Sequence, residues 1–249
     1  MISLVQLLKE VQTKPKAIFM AGPAGSGKTT ILNQLGLQKF KVINVDDVYE
    51  ELLKTELSKE DFASMSPEEL STAAKLMGKA RVVTKEKETQ ALSNLENIII
   101  DGTGAASRPL LKKKEDLEAM GYNTFMILLY VSPMTSLKRN AQRGRSLPTS
   151  AVLKSWEGVV KNIDIYRQAF GNNIIVLNND PEDADPTFDV QSIIKSFPQP
   201  VGRKKSPEEE EKSKAEKEKT NQEIKILLDI EREFDTFDIA KNKVNEFTS

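Results

Sequence analysis

The sequence predicts an α/β fold, a mainly parallel five-stranded sheet flanked by helices. Two patterns carry that prediction. Between residues 16 and 180, short apolar runs alternate with stretches of helical spacing, as in successive βαβ units. The first of these runs, "KAIFMAG", is apolar throughout, the pattern of a strand buried on both faces. Length supplies the bound: 249 residues suffice for one α/β domain with a sizeable core and an appendage.

The elements follow in order. "MISLVQLLKE" reads as an amphipathic first helix; it lacks the basic flank and small-residue cleavage site of a signal peptide. "KAIFMAG" is the first strand, and "TTILNQLG" a helix ending near Gly36. "FKVINV" is the second strand. Ser66-Pro67-Glu68-Glu69 is a helix start, with serine as cap, proline at the first position and acids in the first turn, and the helix is expected to run to about residue 95. "IIID" (98–101) is the third strand, with Ser107 a candidate cap for the next helix. "FMILLYV" (125–131) is the fourth strand and "NIIVLN" (173–178) the fifth. After Pro200 the composition changes. "GRKKSPEEEEKSKAEKEKT" is too poor in apolar residues to form a core. The expected division is a main domain over 1–200, a charged linker over 201–220 and a C-terminal helical extension over 221–249. Residues 201–249 hold 11 basic and 13 acidic side chains, so the tail is mildly acidic and the body nearly neutral.

Composition removes several chemistries. The chain has no cysteine, which excludes disulfides and thiolate metal sites. It has no histidine, so any general base is Asp, Glu, a lysine of depressed pKa or water. No apolar run approaches the ~18 residues of a membrane span, and cytoplasmic residence fits. A net charge of −1 gives no global field that would recruit nucleic acid.

"GPAGSGKT" fits G-x-x-x-x-G-K-[ST] without departure, between a strand and a helix. It identifies a P-loop fold. Gly22, Pro23, Ala24, Gly25, Ser26 and Gly27 form a backbone cradle for phosphates, completed by Lys28, Thr29 and Thr30 at the positive end of the helix. Lys28 is expected to reach the β- and γ-phosphates, and the Thr29 hydroxyl to ligate Mg²⁺. The expected cofactors are ATP and Mg²⁺. "VLNND" lacks the lysine of the guanine-reading motif of GTPases. "IIID" is followed by Gly102-Thr103-Gly104 rather than by the glutamate of motor ATPases. A kinase is the class that remains.

Acidic residues fall at the ends of two strands, where open α/β sheets bind ligands. Asp46 in "INVDDVY" is the candidate base for an attacking hydroxyl, with Asp47 as helix cap; the alternative is that either aspartate merely caps the helix. Asp101 is a candidate Mg²⁺ or substrate carboxylate. Thr103 is placed to approach the acceptor, and Arg108 to hold an anionic part of it, unless Arg108 is only a solvated charge. "SLKRNAQRGRSLP" then supplies Lys138, Arg139, Arg143 and Arg145. Arg139 and Arg143, four residues apart, are expected on one helix face, with Gly144 and Pro148 ending the helix in a mobile lid. Such arginines stabilise charge on a transferring phosphoryl group; the alternative is a basic surface helix or RNA patch.

The order "AGPAGSGKT…INVDD…IIIDGTG…LKRNAQRGR" resembles zeta toxins and the kinase domain of phage-type polynucleotide 5′-kinases, over about residues 16–180. The resemblance implies that Asp46 is the base, that Arg143 is catalytic and Arg139 binds, and that Asp101 matches the kinases' strand-3 aspartate. Zeta toxins have Glu-Gly-Thr there, against Asp101-Gly102-Thr103 here. Transfer of the γ-phosphate to a hydroxyl follows, the acceptor being a polynucleotide 5′-hydroxyl, a hydroxymethylated base in DNA or a nucleotide-sugar. Aromatic content of 6% leaves few stacking platforms for single strands. Trp156 and Tyr166 are the candidates, although aromatics of amphipathic helices usually face the core. The alternative is a nucleotide-dependent binding module acting through its tail, with "EIKILLDIEREF" as a docking helix for a protein partner.

Overall fold

The computed structural model describes residues 14–59, 65–143, 147–181 and 234–248. The expected first helix, the charged linker and all of the "EIKILLDIEREF" segment except Phe234 lie outside the described residues. The sheet has five parallel strands in the order β2-β3-β1-β4-β5: β1 (Lys16–Ala21), β2 (Lys41–Ile43), β3 (Ile98–Asp101), β4 (Asn123–Tyr130) and β5 (Ile174–Asn178). The phosphate-loop strand is thus central. Asp101 sits in register with Met20, the penultimate residue of β1.

Helices cover both faces. They are α1 (Lys28–Gln34), α2 (Val45–Leu57), α3 (Pro67–Ser93), α4 (Ser107–Ala119), α5 (Pro133–Ala141), α6 (Thr149–Lys161), α7 (Ile163–Phe170) and α8 (Phe237–Thr248). Successive β1 residues serve opposite faces, as the period of two requires. Ala17, Phe19 and Ala21 join Leu117 of α4 and Tyr166 and Phe170 of α7. Ile18 and Met20 join Ile31 of α1 and Ala240 and Val244 of α8. Ser66 caps α3 as its sequence requires, in a reciprocal capping box with Glu69.

Two starts differ from expectation. β2 stops at Ile43, and Asn44, not Asp47, caps α2 by accepting from the Asp46 N–H at 2.8 Å. Asp46 and Asp47 therefore stand in the first turn of α2 rather than at the strand end. Ser107 is the first helical residue of α4, and Ala106 fills the cap position.

The tail returns to the sheet. Asp235 forms a parallel bridge to Leu177, its N–H donates to the Val176 carbonyl at 2.8 Å, and its carboxylate accepts the Val176 N–H at 2.9 Å. Phe234 stacks on Tyr130 at 4.8 Å, and α8 then buries Ala240 and Val244. The end of the chain is therefore built into the main core.

Candidate active site

The phosphate loop joins β1 to α1. Gly27 holds a φ of 86° at the α1 cap, a conformation that favours glycine, and a Cβ there would stand 2.5 Å from Asn179 Nδ2 and push that side chain off the loop. The loop carbonyls are tied from outside. Ser136 Oγ donates to Ala24 O at 2.6 Å, Arg139 Nη1 to Gly25 O at 3.3 Å, and Asn179 Nδ2 to Ser26 O at 2.7 Å. The first-turn N–H groups of α1 have no intrahelical acceptor, which leaves them for an anion. Thr29 and Thr30 are exposed in that turn. Lys28 Nζ donates to Gly22 O at 3.2 Å. Burial holds its pKa below the usual lysine value; Asp101 opposes that shift, Arg143 adds to it, and Asp46 opposes it.

The acidic side is organised by Asn44. Its Nδ2 donates to Asp101 Oδ2 at 2.8 Å and to Asp47 Oδ1 at 3.1 Å, while its Oδ1 receives the Asp46 N–H. Burial, with the charges of Asp47 and Asp46 added and that of Lys28 opposing, pushes the Asp101 carboxyl up to about 6. Asp47 is also raised, by burial first and then by Glu50 and Asp46. Asp101 Oδ1 is buried without a hydrogen-bond partner, as is Ser26 Oγ in the phosphate loop. Among the described residues no cluster of three or more His, Cys, Asp or Glu side chains could hold a metal alone. One carboxylate, one hydroxyl and the nucleotide's phosphates are, however, the kind of set that Mg²⁺ uses, and the orphaned Asp101 oxygen beside Lys28 fits such a set.

The loop after β3 is pinned against the phosphate loop. Gly22 N–H donates to Thr103 O at 3.0 Å. Gly104, at φ 73°, would place a Cβ 2.7 Å from Ala21 Cβ, and its carbonyl accepts from Tyr166 Oη at 2.8 Å. Thr103 and Arg108 are exposed near the same edge. Tyr166 and Trp156 are fully buried, and the Trp156 indole donates to Val131 O at 2.7 Å. Both serve the core and offer no base-stacking platform.

The arginine segment differs from expectation. α5 ends at Ala141, so Arg143 lies past the helix, its N–H returning to Asn140 O at 3.2 Å. Arg139 and Arg143 do not share a helical face. Arg139 spans Gly25 O and, at 3.1 Å, Asn179 O, and so braces the loop from its flank. The Arg143 charge reaches Lys28. Gly144 and Arg145 lie outside the described residues.

Lys28, Asp46, Asp101 and Arg143 thus converge electrostatically. Asn44, Ser136 and Asn179 were not legible as site residues. Asn44 had a local signal, an asparagine two residues before an acid pair; Ser136 and Asn179 had none, because only the sheet order brings them to the loop.

The zeta toxin family model matches residues 5–183. No curated protein matches the chain. Among solved structures, the AvrRxo1-ORF1:ORF2 complex is similar at 14% identity and TM-score 0.55, over 92% of this chain and 84% of that one. The same complex with ATP gives 13% identity and 0.54, over 96% and 83%. The PezAT toxin-antitoxin system of Streptococcus pneumoniae gives 17% identity and 0.45, over 91% and 95%.

Proposed function

The chain belongs to the zeta toxin family, a P-loop phosphotransferase group, and from that premise we propose that it transfers the γ-phosphate of ATP to the hydroxyl of a small acceptor, with Asp46 as the base. The observation that carries the proposal is the meeting of Asp46, Asp101, Lys28 and Arg143 charges at the mouth of the phosphate loop. In this reading the first turn of α1 and Lys28 hold the phosphates. Asp46, exposed in the first turn of α2, faces the acceptor and takes its proton. Arg143 stabilises charge on the transferring group, and Arg139 keeps the loop in shape. Thr29 and Asp101 Oδ1 would hold Mg²⁺, which when bound neutralises charge on the β- and γ-phosphates. Thr103 and Arg108 border the acceptor side, and Arg145 remains a candidate from the sequence alone.

The acceptor class follows from charge. Asp46, Asp47 and Glu50 place three acids on the acceptor side, opposed there by Lys87, which disfavours a long phosphodiester backbone more than a compound that carries one or two phosphates. Polynucleotide binding depends on cations that neutralise phosphates, and the two aromatics considered for stacking are buried. A nucleotide-sugar or similar small hydroxyl compound fits better than a nucleic-acid end.

The test is transfer of labelled γ-phosphate from ATP to nucleosides, nucleotide-sugars, oligonucleotides and hydroxymethylated DNA. Asp46→Asn should keep ATP affinity and lose ~10²–10⁴-fold in transfer, with no comparable loss for Asp47→Asn. Normal transfer by Asp46→Asn would defeat the assignment, and transfer to oligonucleotides alone would defeat the acceptor class.

A further inference from the structure

Arg143 follows α5 and Leu147 precedes α6, and one buried side chain between them in space holds both. Asn140, in the last turn of α5, is 4% exposed. Its Nδ2 donates to Leu147 O at 2.9 Å, and its Oδ1 accepts the Leu147 N–H at 3.1 Å. Its backbone carbonyl accepts the Arg143 N–H at 3.2 Å. The side-chain amide thus engages both backbone groups of Leu147, as a paired strand residue would, and fixes orientation as well as distance.

The ground beneath Asn140 is packed. Leu137 of α5 joins Val152, Leu153, Trp156 and Val160 of α6 and Ala24 of the phosphate loop in one apolar cluster. Ser136, one turn before Asn140, donates to Ala24 O at 2.6 Å. Pro148, directly after Leu147, stands at the cap of α6, its carbonyl accepting from the Ala151 and Val152 N–H groups at 2.9 and 3.1 Å. Asn140 therefore belongs to a unit that includes the phosphate loop, whereas Arg143 is exposed. The Arg143 charge is nevertheless felt at Lys28. A cation that stabilises a transferring phosphoryl group must stand in a fixed place, and a displacement of about 1 Å can cost ~10²-fold in rate.

Resting on the kinase reading above, we infer that Asn140 is a positioning residue: its side-chain amide anchors the chain at Leu147 and so fixes where Arg143 stands against the transferring phosphoryl group, while itself touching neither nucleotide nor acceptor.

Calorimetric titration of the full chain with Mg²⁺-ADP, with and without aluminium fluoride, tests this and needs no acceptor. ADP with aluminium fluoride imitates the transferring group, and ADP alone does not. The wild type should bind ADP ~10²-fold or more tighter with the fluoride present. Arg143→Ala should lose ~10-fold or more of that gain and Asn140→Ala about tenfold, each at near-constant affinity for ADP alone. In the Arg143→Ala background, Asn140→Ala should lose nothing further. Leu147→Ala keeps the backbone groups that Asn140 holds and should keep the gain. Each gain is a ratio of affinities within one variant, so it is insensitive to any loss of folded protein. If Asn140→Ala does not fold, Asn140→Ser, which can keep one of the two bonds to Leu147, should show a smaller loss in the same direction. A gain that Arg143→Ala loses and the Asn140 variants keep, a further loss in the double variant, or an equal loss in Leu147→Ala overturns the inference and leaves the kinase reading standing. A gain absent from the wild type, or kept by Arg143→Ala, overturns both.

Discussion

At Asp101, burial raises the carboxyl to about 6, against 3.8 for a free aspartate, so that in the proposed mechanism this residue sets folding against chemistry. A folded-state pKa above the unfolded one means that the folded state binds the proton more tightly. The favourable contribution is complete below 3.8, falls as pH rises to about 6, and is absent above that. The ionised carboxylate is therefore a cost at neutral pH in the metal-free protein. Removing it should stabilise by ~1–3 kcal/mol, a figure that already contains the attraction of Lys28. Asp101→Asn is expected to raise the Tm in chelator-treated buffer at pH 7–8, with the gain shrinking as pH falls through 6 toward 4. It should also lose ~10²-fold or more in Mg²⁺-dependent transfer. Thermal denaturation across this pH range measures the first effect, and a Tm difference that does not change with pH would refute the burial argument.

At the scale of the element, the start of α2 performs two tasks through one side chain. Asn44 caps the helix through its oxygen and joins Asp101 to Asp47 through its nitrogen. Serine keeps the first task, because its hydroxyl is an equally good cap. It has no amide for the second. Asn44→Ser is therefore expected to change the Tm little while lowering kcat ~10-fold or more at near-constant ATP affinity, since a carboxylate pair loses its fixed spacing. Steady-state kinetics per mole of ATP-binding protein would read this. A kcat equal to that of the wild type would reduce Asn44 to a helix cap. The short α5 shows the same economy: Ser132 accepts from Thr135 N–H, and its own N–H reaches Asp180, so the helix is fixed to the exit of β5 next to Asn179.

The whole molecule closes on its C-terminus. Phe247 packs on Phe125 with ring centroids 4.9 Å apart, and Val244 is 1% exposed against the sheet. Removing residues after 181 would expose that face of β4 and β5, together with the outer edge of β5 that Asp235 now pairs. Burial of this kind is worth several kcal/mol in total. A chain truncated after Pro181 is expected to be insoluble or to lose ~10 °C or more in Tm, as circular dichroism on heating would show. A truncated chain as stable as the full one would mean that α8 is an ornament of the fold.

The parallel sheet, the phosphate loop and the capped start of α3 were legible because each rests on local chemistry: apolar runs, glycine geometry and a serine followed by a proline and two acids. Asp46 and Asp101 were legible as acids near strand ends. The bracing of the loop was not. Asn179 and Ser136 reach it from 153 and 112 residues away, and no local pattern encodes a hydrogen bond of that span. The tail shows the difference most plainly. Its charge-rich approach argued for an appendage, but α8 carries an apolar stripe whose partner, the exposed flank of β4 and β5, exists only after the sheet has formed. Local sequence therefore determined which elements form and where the phosphate-loop motif lies; tertiary structure decided which side chains hold that loop and that α8 packs into the core, because those contacts depend on strand order rather than on spacing.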